Sequence, residues 1–70
     1  MGKFAKNLER LRTERQMTQE ELAKRVGVSQ PAIAQYENGT ATPRLYVTLR
    51  IASALATTVE ALIEGKEGSQ

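Results

Sequence analysis

Val26-Gly27-Val28-Ser29 closes one helix and opens another within about three residues, and no other stretch of the chain restricts its fold so strongly. Upstream, Thr18-Gln19-Glu20-Glu21 has the form of a capping box. The Thr18 oxygen accepts the backbone N–H of Glu21, while the Glu21 carboxylate reaches back to the N–H of Thr18. Met17 and Leu22 flank it as a hydrophobic staple, and Leu22, Ala23 and Val26 give the inner side of a helix of about eight residues. Gly27 takes the left-handed conformation that ends it. Ser29 caps the next helix, Val28 staples Ile33, and Pro31 is tolerated in a first turn, where its missing N–H would have had no partner. That helix carries Ile33, Tyr36 and Glu37 up to the terminator pair Asn38-Gly39. Two short helices joined so tightly cannot lie antiparallel, so they must cross at a large angle.

The rest of the chain supplies helices to pack around that crossing. Phe4, Leu8 and Leu11, spaced by four and three, put one apolar stripe on a helix over residues 4–15. After Thr40-Ala41-Thr42, Pro43 is expected to start a fourth helix with Leu45, Thr48, Leu49, Ala52 and Leu55 facing inward. Thr57 or Thr58 caps a fifth, from Val59 to Glu64, carrying Val59, Leu62 and Ile63. No run alternates with period two. The expected fold is therefore all-α with five helices, a single domain over residues 1–70 that ends in a loose tail at 65–70. With 40% apolar and 26% charged residues the chain is hydrophobic enough to fold, and 70 residues have room for one core.

Composition narrows the chemistry. Cys, His and Asp are all absent, which excludes disulfides, thiolate or imidazole zinc sites, a Ser-His-Asp triad and an EF-hand loop. Glu60, Glu64 and Glu67 fall in a short helix and a loose tail with no nucleophile beside them, and read as solvated surface. The expectation is a binding module: not an enzyme, with no metal, cofactor or small-molecule substrate. No apolar run approaches the ~20 residues of a membrane span, and no signal-peptide core follows Met1, so a cytoplasmic, nucleoid-associated protein without a membrane partner is expected. Charge is uneven. Residues 1–58 hold nine Lys/Arg against five Glu, +4, whereas residues 59–70 hold one Lys against three Glu, −2. A polyanion would meet the front of the chain.

The junction at 26–29 between two capped helices is the sequence form of a helix-turn-helix over about residues 18–37, in which the second helix enters the DNA major groove and the first crosses the backbone. The plainer alternative is an interhelix turn of any small bundle. Leu8-Glu9-Arg10-Leu11-Arg12, Thr18-Gln19-Glu20-Glu21-Leu22-Ala23, Val26-Gly27-Val28-Ser29, Ile33-Ala34-Gln35-Tyr36-Glu37-Asn38-Gly39 and Pro43 follow one another in order. This succession resembles the phage-repressor-like, Cro-like (Xre-type) helix-turn-helix family over residues 4–64. The resemblance implies a five-helix lambda-repressor-like DNA-binding domain.

With Ile33, Tyr36 and Glu37 inward, Gln30, Pro31 and Gln35 and the flank of Ala32 and Ala34 face out near the helix N-terminus. A glutamine presents a donor and an acceptor side by side, matching adenine N6 and N7, and a small apolar group contacts a thymine methyl. Gln30 and Gln35, with Pro31 and Ala32, are thus the candidate base readers; the matching positions of similar proteins read bases, often with a polar residue where Pro31 stands. Solvated surface is the alternative. Gln19, Ser29, Asn38, Thr40 and Arg44 form the candidate phosphate clamp, drawn from helix N-termini, small polar groups and one cation. Lys24 and Arg25 read as solvated helix surface. The loop at 40–44 is poorer in cations than in many similar proteins, so the salt dependence of binding is expected to be modest, at about 0.9 in log K per phosphate neutralised.

Arg12 follows Leu8 by four and Glu37 follows Ile33 by four, so each charge sits on an inward stripe and the two are expected to pair. Similar proteins have a buried ion pair at the matching positions. They also form two-fold dimers through the last helix, which makes Val59 and Ile63 the candidate dimer contact and a homodimer on double-stranded DNA the expected assembly. Two departures from the family pattern fall in the back half: Ala56 stands where a helix-ending Gly is usual, and Thr48 replaces a common Leu. The function implied is a sequence-specific transcriptional regulator, a repressor on a palindromic operator. The alternative is a protein-interaction module of the same fold, such as an antitoxin or bridging factor.

Overall fold

Three hydroxyl side chains set the starts of three helices. Thr18 Oγ1 accepts from Glu21 N at 3.0 Å, Ser29 Oγ from Ala32 N at 3.2 Å and Thr58 Oγ1 from Ala61 N at 3.0 Å. The Thr18 box is reciprocal, since Thr18 N donates to Glu21 Oε1 at 2.8 Å. The computed structural model describes residues 3–65, over which the chain forms α1 (Phe4–Glu14), α2 (Gln19–Val26), α3 (Gln30–Asn38), α4 (Leu45–Ala54) and α5 (Val59–Glu64), with no strand among the described residues. Apart from Gly65, the tail expected at 65–70 lies outside the described residues.

The core takes one stripe from each helix: Phe4, Leu8 and Leu11 of α1, Leu22, Ala23 and Val26 of α2, Ile33 of α3, Ile51 and Ala52 of α4, and Leu62 of α5, with Leu55 just past α4. Met17 and Val28, the outer members of the two staples, pack against it. α2 and α3 pack on each other across the turn, and α1 braces α3 and α5. Gly27 closes α2 at φ 89°, the left-handed region where a side chain would be strained.

Two expectations fail in α4. Pro43 does not begin it: Arg44 has extended backbone (φ −69°, ψ 162°) and is the N-cap, so Pro43 lies buried one residue before the cap. Leu45 and Leu49, expected inward, are 71% and 51% exposed, whereas Ile51 is fully buried. α4 packs on α2 and α5, and that contact selects the side bearing Thr48, Ile51 and Ala52. Thr48 is buried without an orphaned hydroxyl, because its Oγ1 donates to Arg44 O at 3.0 Å. In α5 the fully buried residues are Ala61 and Leu62, while Val59 and Ile63 are half-buried.

α1 and α4 end alike. Gln16 (φ 58°) and Ala56 (φ 53°) each take the left-handed conformation one residue past the cap. The following N–H groups close back, Met17 N on Arg12 O and Thr57 N on Ala52 O. Arg15 Nε donates to Leu55 O at 2.6 Å and ties the two ends together.

Candidate nucleic-acid interface

α3 is anchored by one fully buried side chain, Ile33, which leaves its N-terminal half on the surface. Gln30, Pro31 and Gln35 are exposed and Ala32 and Ala34 half-buried, so the outward side of the helix is uncharged. Ser29 accepts its capping bond through Oγ and keeps its hydroxyl hydrogen for an external acceptor.

Behind this surface runs a chain of hydrogen bonds that starts at a buried ion pair. Arg12 grips Glu37 with two nitrogens along one edge of its guanidinium, Nε to Oε2 at 2.6 Å and Nη2 to Oε1 at 3.1 Å. Their side chains are only 12% and 5% exposed, and Arg12 Nη1 also donates to Met17 O at 2.7 Å. The hydrogen bond to Glu37 holds the Arg12 guanidinium above its ordinary pKa range, against the opposing effect of burial. Glu37 Oε1 accepts a further bond from Gln19 Nε2 at 3.0 Å, and Gln19 Oε1 in turn accepts from Gln30 Nε2 at 2.7 Å. Arg12, Gln19 and Gln30 line one groove with Thr18 and Glu20, where the start of α2 meets the start of α3.

Two of the candidate clamp residues, Asn38 and Thr40, are bonded to one another. Asn38 Oδ1 accepts from Thr40 N at 3.0 Å and from Thr40 Oγ1 at 2.6 Å, which fixes the turn after α3 and leaves the Asn38 amide hydrogens for another acceptor. Arg44 is exposed at the head of α4, and no hydrogen bond links it to Gln19, Ser29 or Asn38 among the described residues. Lys24 and Arg25 are exposed in the last turn of α2.

The bond from Gln30 to Gln19 and the one from Gln19 to Glu37 escaped the sequence reading. One signal for them is present: Gln30 and Glu37 are seven residues apart, two helical turns, and so share a face of α3. Arg50 was also missed. Its Nε donates to Val26 O at 2.8 Å, closing the end of α2, while Nη1 donates to Tyr46 OH at 2.8 Å and the guanidinium lies 5.4 Å from the Tyr46 ring centre. No cluster of three or more potential metal ligands occurs among the described residues, and no helix there is long and apolar enough to cross a membrane.

Two capped helices joined through a left-handed glycine, with the second braced by α1 and its uncharged side turned outward, define a helix-turn-helix domain of the phage-repressor type. The chain belongs to the helix-turn-helix family, whose model matches residues 8–62. It is 27% identical over 67 residues to the uncharacterised HTH-type transcriptional regulator YqaE of Bacillus subtilis (strain 168), covering 96% of this chain and 58% of that protein. It is 34% identical over 64 residues to the HTH-type transcriptional activator BcrR of Enterococcus faecalis, covering 91% of this chain and 31% of that protein. The chain thus spans little more than half of one of these relatives and about a third of the other. Among solved structures, the P22 c2 repressor in complex with a synthetic operator superposes with a TM-score of 0.85 at 29% identity, over 89% of this chain and 94% of that one.

Proposed function

We propose that this chain is a sequence-specific double-stranded DNA-binding domain of a transcriptional regulator, a repressor that acts by occupying a palindromic operator as a homodimer in the cytoplasm. α3 lies in the major groove with Gln30 and Gln35 on base edges and Pro31 and Ala32 in van der Waals contact, while Gln19, Ser29, Asn38, Thr40 and Arg44 hold phosphates. The observation that carries this reading is the uncharged outward side of α3, whose amides and small groups are suited to base edges. The operator bound to the similar P22 c2 repressor supports it. Val59 and Ile63 form the protomer contact. The test is selection of bound duplexes from a random pool, repeated with Gln30→Ala and Gln35→Ala. A two-fold motif that loses preference at particular adenines is expected; enrichment of no motif sinks the reading.

A second reading is a protein-interaction module. It is favoured by Leu45, Tyr46 and Leu49, which leave α4 with a large exposed apolar surface at 71%, 66% and 51% exposure. The same selection separates the two, because a module whose partner is a protein enriches no duplex.

A further inference from the structure

Arg10, Arg12 and Arg15 each have a glutamate at ion-pair distance, whereas Arg25 and Arg50 have none among the described residues. These two cations line one open groove of about 410 Å³ between the last turn of α2 and the middle of α4, together with Ser53 and Ala54. No carboxylate is among the described residues that line it. Two like charges in one groove repel, and an anion between them removes that cost.

Arg50 is held in place before any ligand arrives. Its Nε donates to Val26 O and its Nη1 to Tyr46 OH, each at 2.8 Å, and the guanidinium stacks over the Tyr46 ring. Nη2 has no hydrogen bond among the described residues, and it lies against the turn, 3.6 Å from where a side chain on Gly27 would begin. The Ser53 hydroxyl and the Arg25 guanidinium are likewise without a hydrogen-bond partner among the described residues, and both residues are exposed. A helix C-terminus disfavours anions, but here Val26 O already accepts from Arg50. A carboxylate has two oxygens, which one guanidinium satisfies by itself, whereas a phosphoryl group has three terminal oxygens for the two guanidiniums and the hydroxyl. The groove falls within the ~300–1,000 Å³ of small-molecule sites, so there is room beyond the phosphoryl group.

The geometry points to Arg25, Arg50 and Ser53 as a binding site for the phosphoryl group of a small molecule. Arg25 stands about 9 Å along the axis of α2 from Gln19, so the site is separate from the proposed DNA contacts and does not rest on them. Because Arg50 also grips Val26 O, a ligand held there bears on the turn that carries α3.

The test is titration of the nitrogen-15-labelled chain with inorganic phosphate at neutral pH, against sodium chloride of equal ionic strength, followed by nuclear magnetic resonance. Saturable shifts confined to Arg25, Gly27, Arg50, Ser53 and their neighbours are expected, with a Kd of about 1–10 mM, the scale of two charge-assisted contacts in an open groove. Sulfate should compete, and acetate should bind about tenfold more weakly. Arg25→Gln and Ser53→Ala, both surface changes, should leave the fold intact and weaken phosphate binding by about tenfold and about threefold. Shifts spread over the other exposed cations, such as Lys3, Lys6 and Arg44, or a Kd unchanged in Arg25→Gln, overturn the site. Acetate bound as tightly as phosphate overturns the ligand class. If Arg25→Gln instead lowers affinity for duplex DNA and flattens its salt slope by about 1, the groove holds a phosphate of the DNA and the small-molecule assignment falls.

Discussion

Arg12 and Glu37 are the two charges most fully withdrawn from water, and each is the other's main partner. Removing one partner leaves a buried charge uncompensated, which typically costs ~3–5 kcal/mol, whereas the intact pair adds little over an apolar replacement. Glu37→Ala is therefore expected to lower Tm by more than about 10 °C in thermal unfolding followed by circular dichroism, at the ~4–8 °C per kcal/mol of a domain this small. The double change Arg12→Met with Glu37→Met should lose clearly less, and equal losses would show that burial of a lone charge is not the cause. The sign of the pH effect follows from the raised Arg12 value. A basic group held above its unfolded value stabilises at all pH below that unfolded value and loses the effect only as pH rises through the folded one. Both lie in the strongly alkaline range, so Arg12 gives no pH dependence near neutrality. The pair itself was legible in the sequence, as two charges on apolar stripes at four-residue spacing. Gln19 was legible only as a residue at a helix N-terminus, because a side-chain amide bonded across two elements leaves no mark in periodicity or charge.

At the level of the helix, the capped starts of α2, α3 and α5 could be read from sequence because each depends on a local bond between residues three apart. The register of α4 could not. Residues 48, 52 and 55 belong equally to the stripe that also holds 45 and 49 and to the one that holds 51, and the two differ by a rotation smaller than the ~100° between neighbours. Only the tertiary contact of α4 with α2 and α5 decides between them. The consequence can be measured by urea unfolding. Leu45→Ser with Leu49→Ser should change stability by no more than about 1 kcal/mol, as exposed changes do, while Ile51→Ala should cost about 2–5 kcal/mol. The ends of α1 and α4 carry a separate cost, since neither Gln16 nor Ala56 is a glycine and both sit at positive φ. Ala56 is exposed and loses no packing when its methyl group is removed, so Ala56→Gly is expected to stabilise the chain by about 1 kcal/mol and raise Tm accordingly. A lower Tm would mean that the methyl group makes a contact worth more than the strain.

Over the whole molecule, size and charge set the terms on which it can meet DNA. Arg44 is the one cation of the candidate clamp, and Lys24 and Arg25 are the exposed cations in the last turn of α2. Neutral donors position phosphates without releasing counterions, so log K against log[salt] is expected to have a slope of about −1 to −3 per protomer. A far steeper slope would require a basic surface outside this set. The described residues extend 33 × 22 × 20 Å and carry one helix proposed to read bases, α3, while the half-sites of a two-fold operator are one turn, ~34 Å, apart. Protomers whose centres are that far apart meet only near their edges. A standard stable interface removes ~800 Å² per partner, nearly a fifth of the 4416 Å² that one protomer exposes, whereas the proposed contact residues Val59 and Ile63 are each already half-buried within the protomer. In the proposed operator complex DNA then supplies most of the free energy that brings two copies together. Light scattering at micromolar concentration is expected to give a monomer without DNA and two chains per duplex with a selected operator; a half-operator should bind one chain, with affinity well below that of the full site. A stable dimer in the absence of DNA would require a larger contact, for which the exposed Leu45, Tyr46 and Leu49 of α4 have the necessary apolar area, and Leu49→Asp would then dissociate it where Ile63→Asp would not.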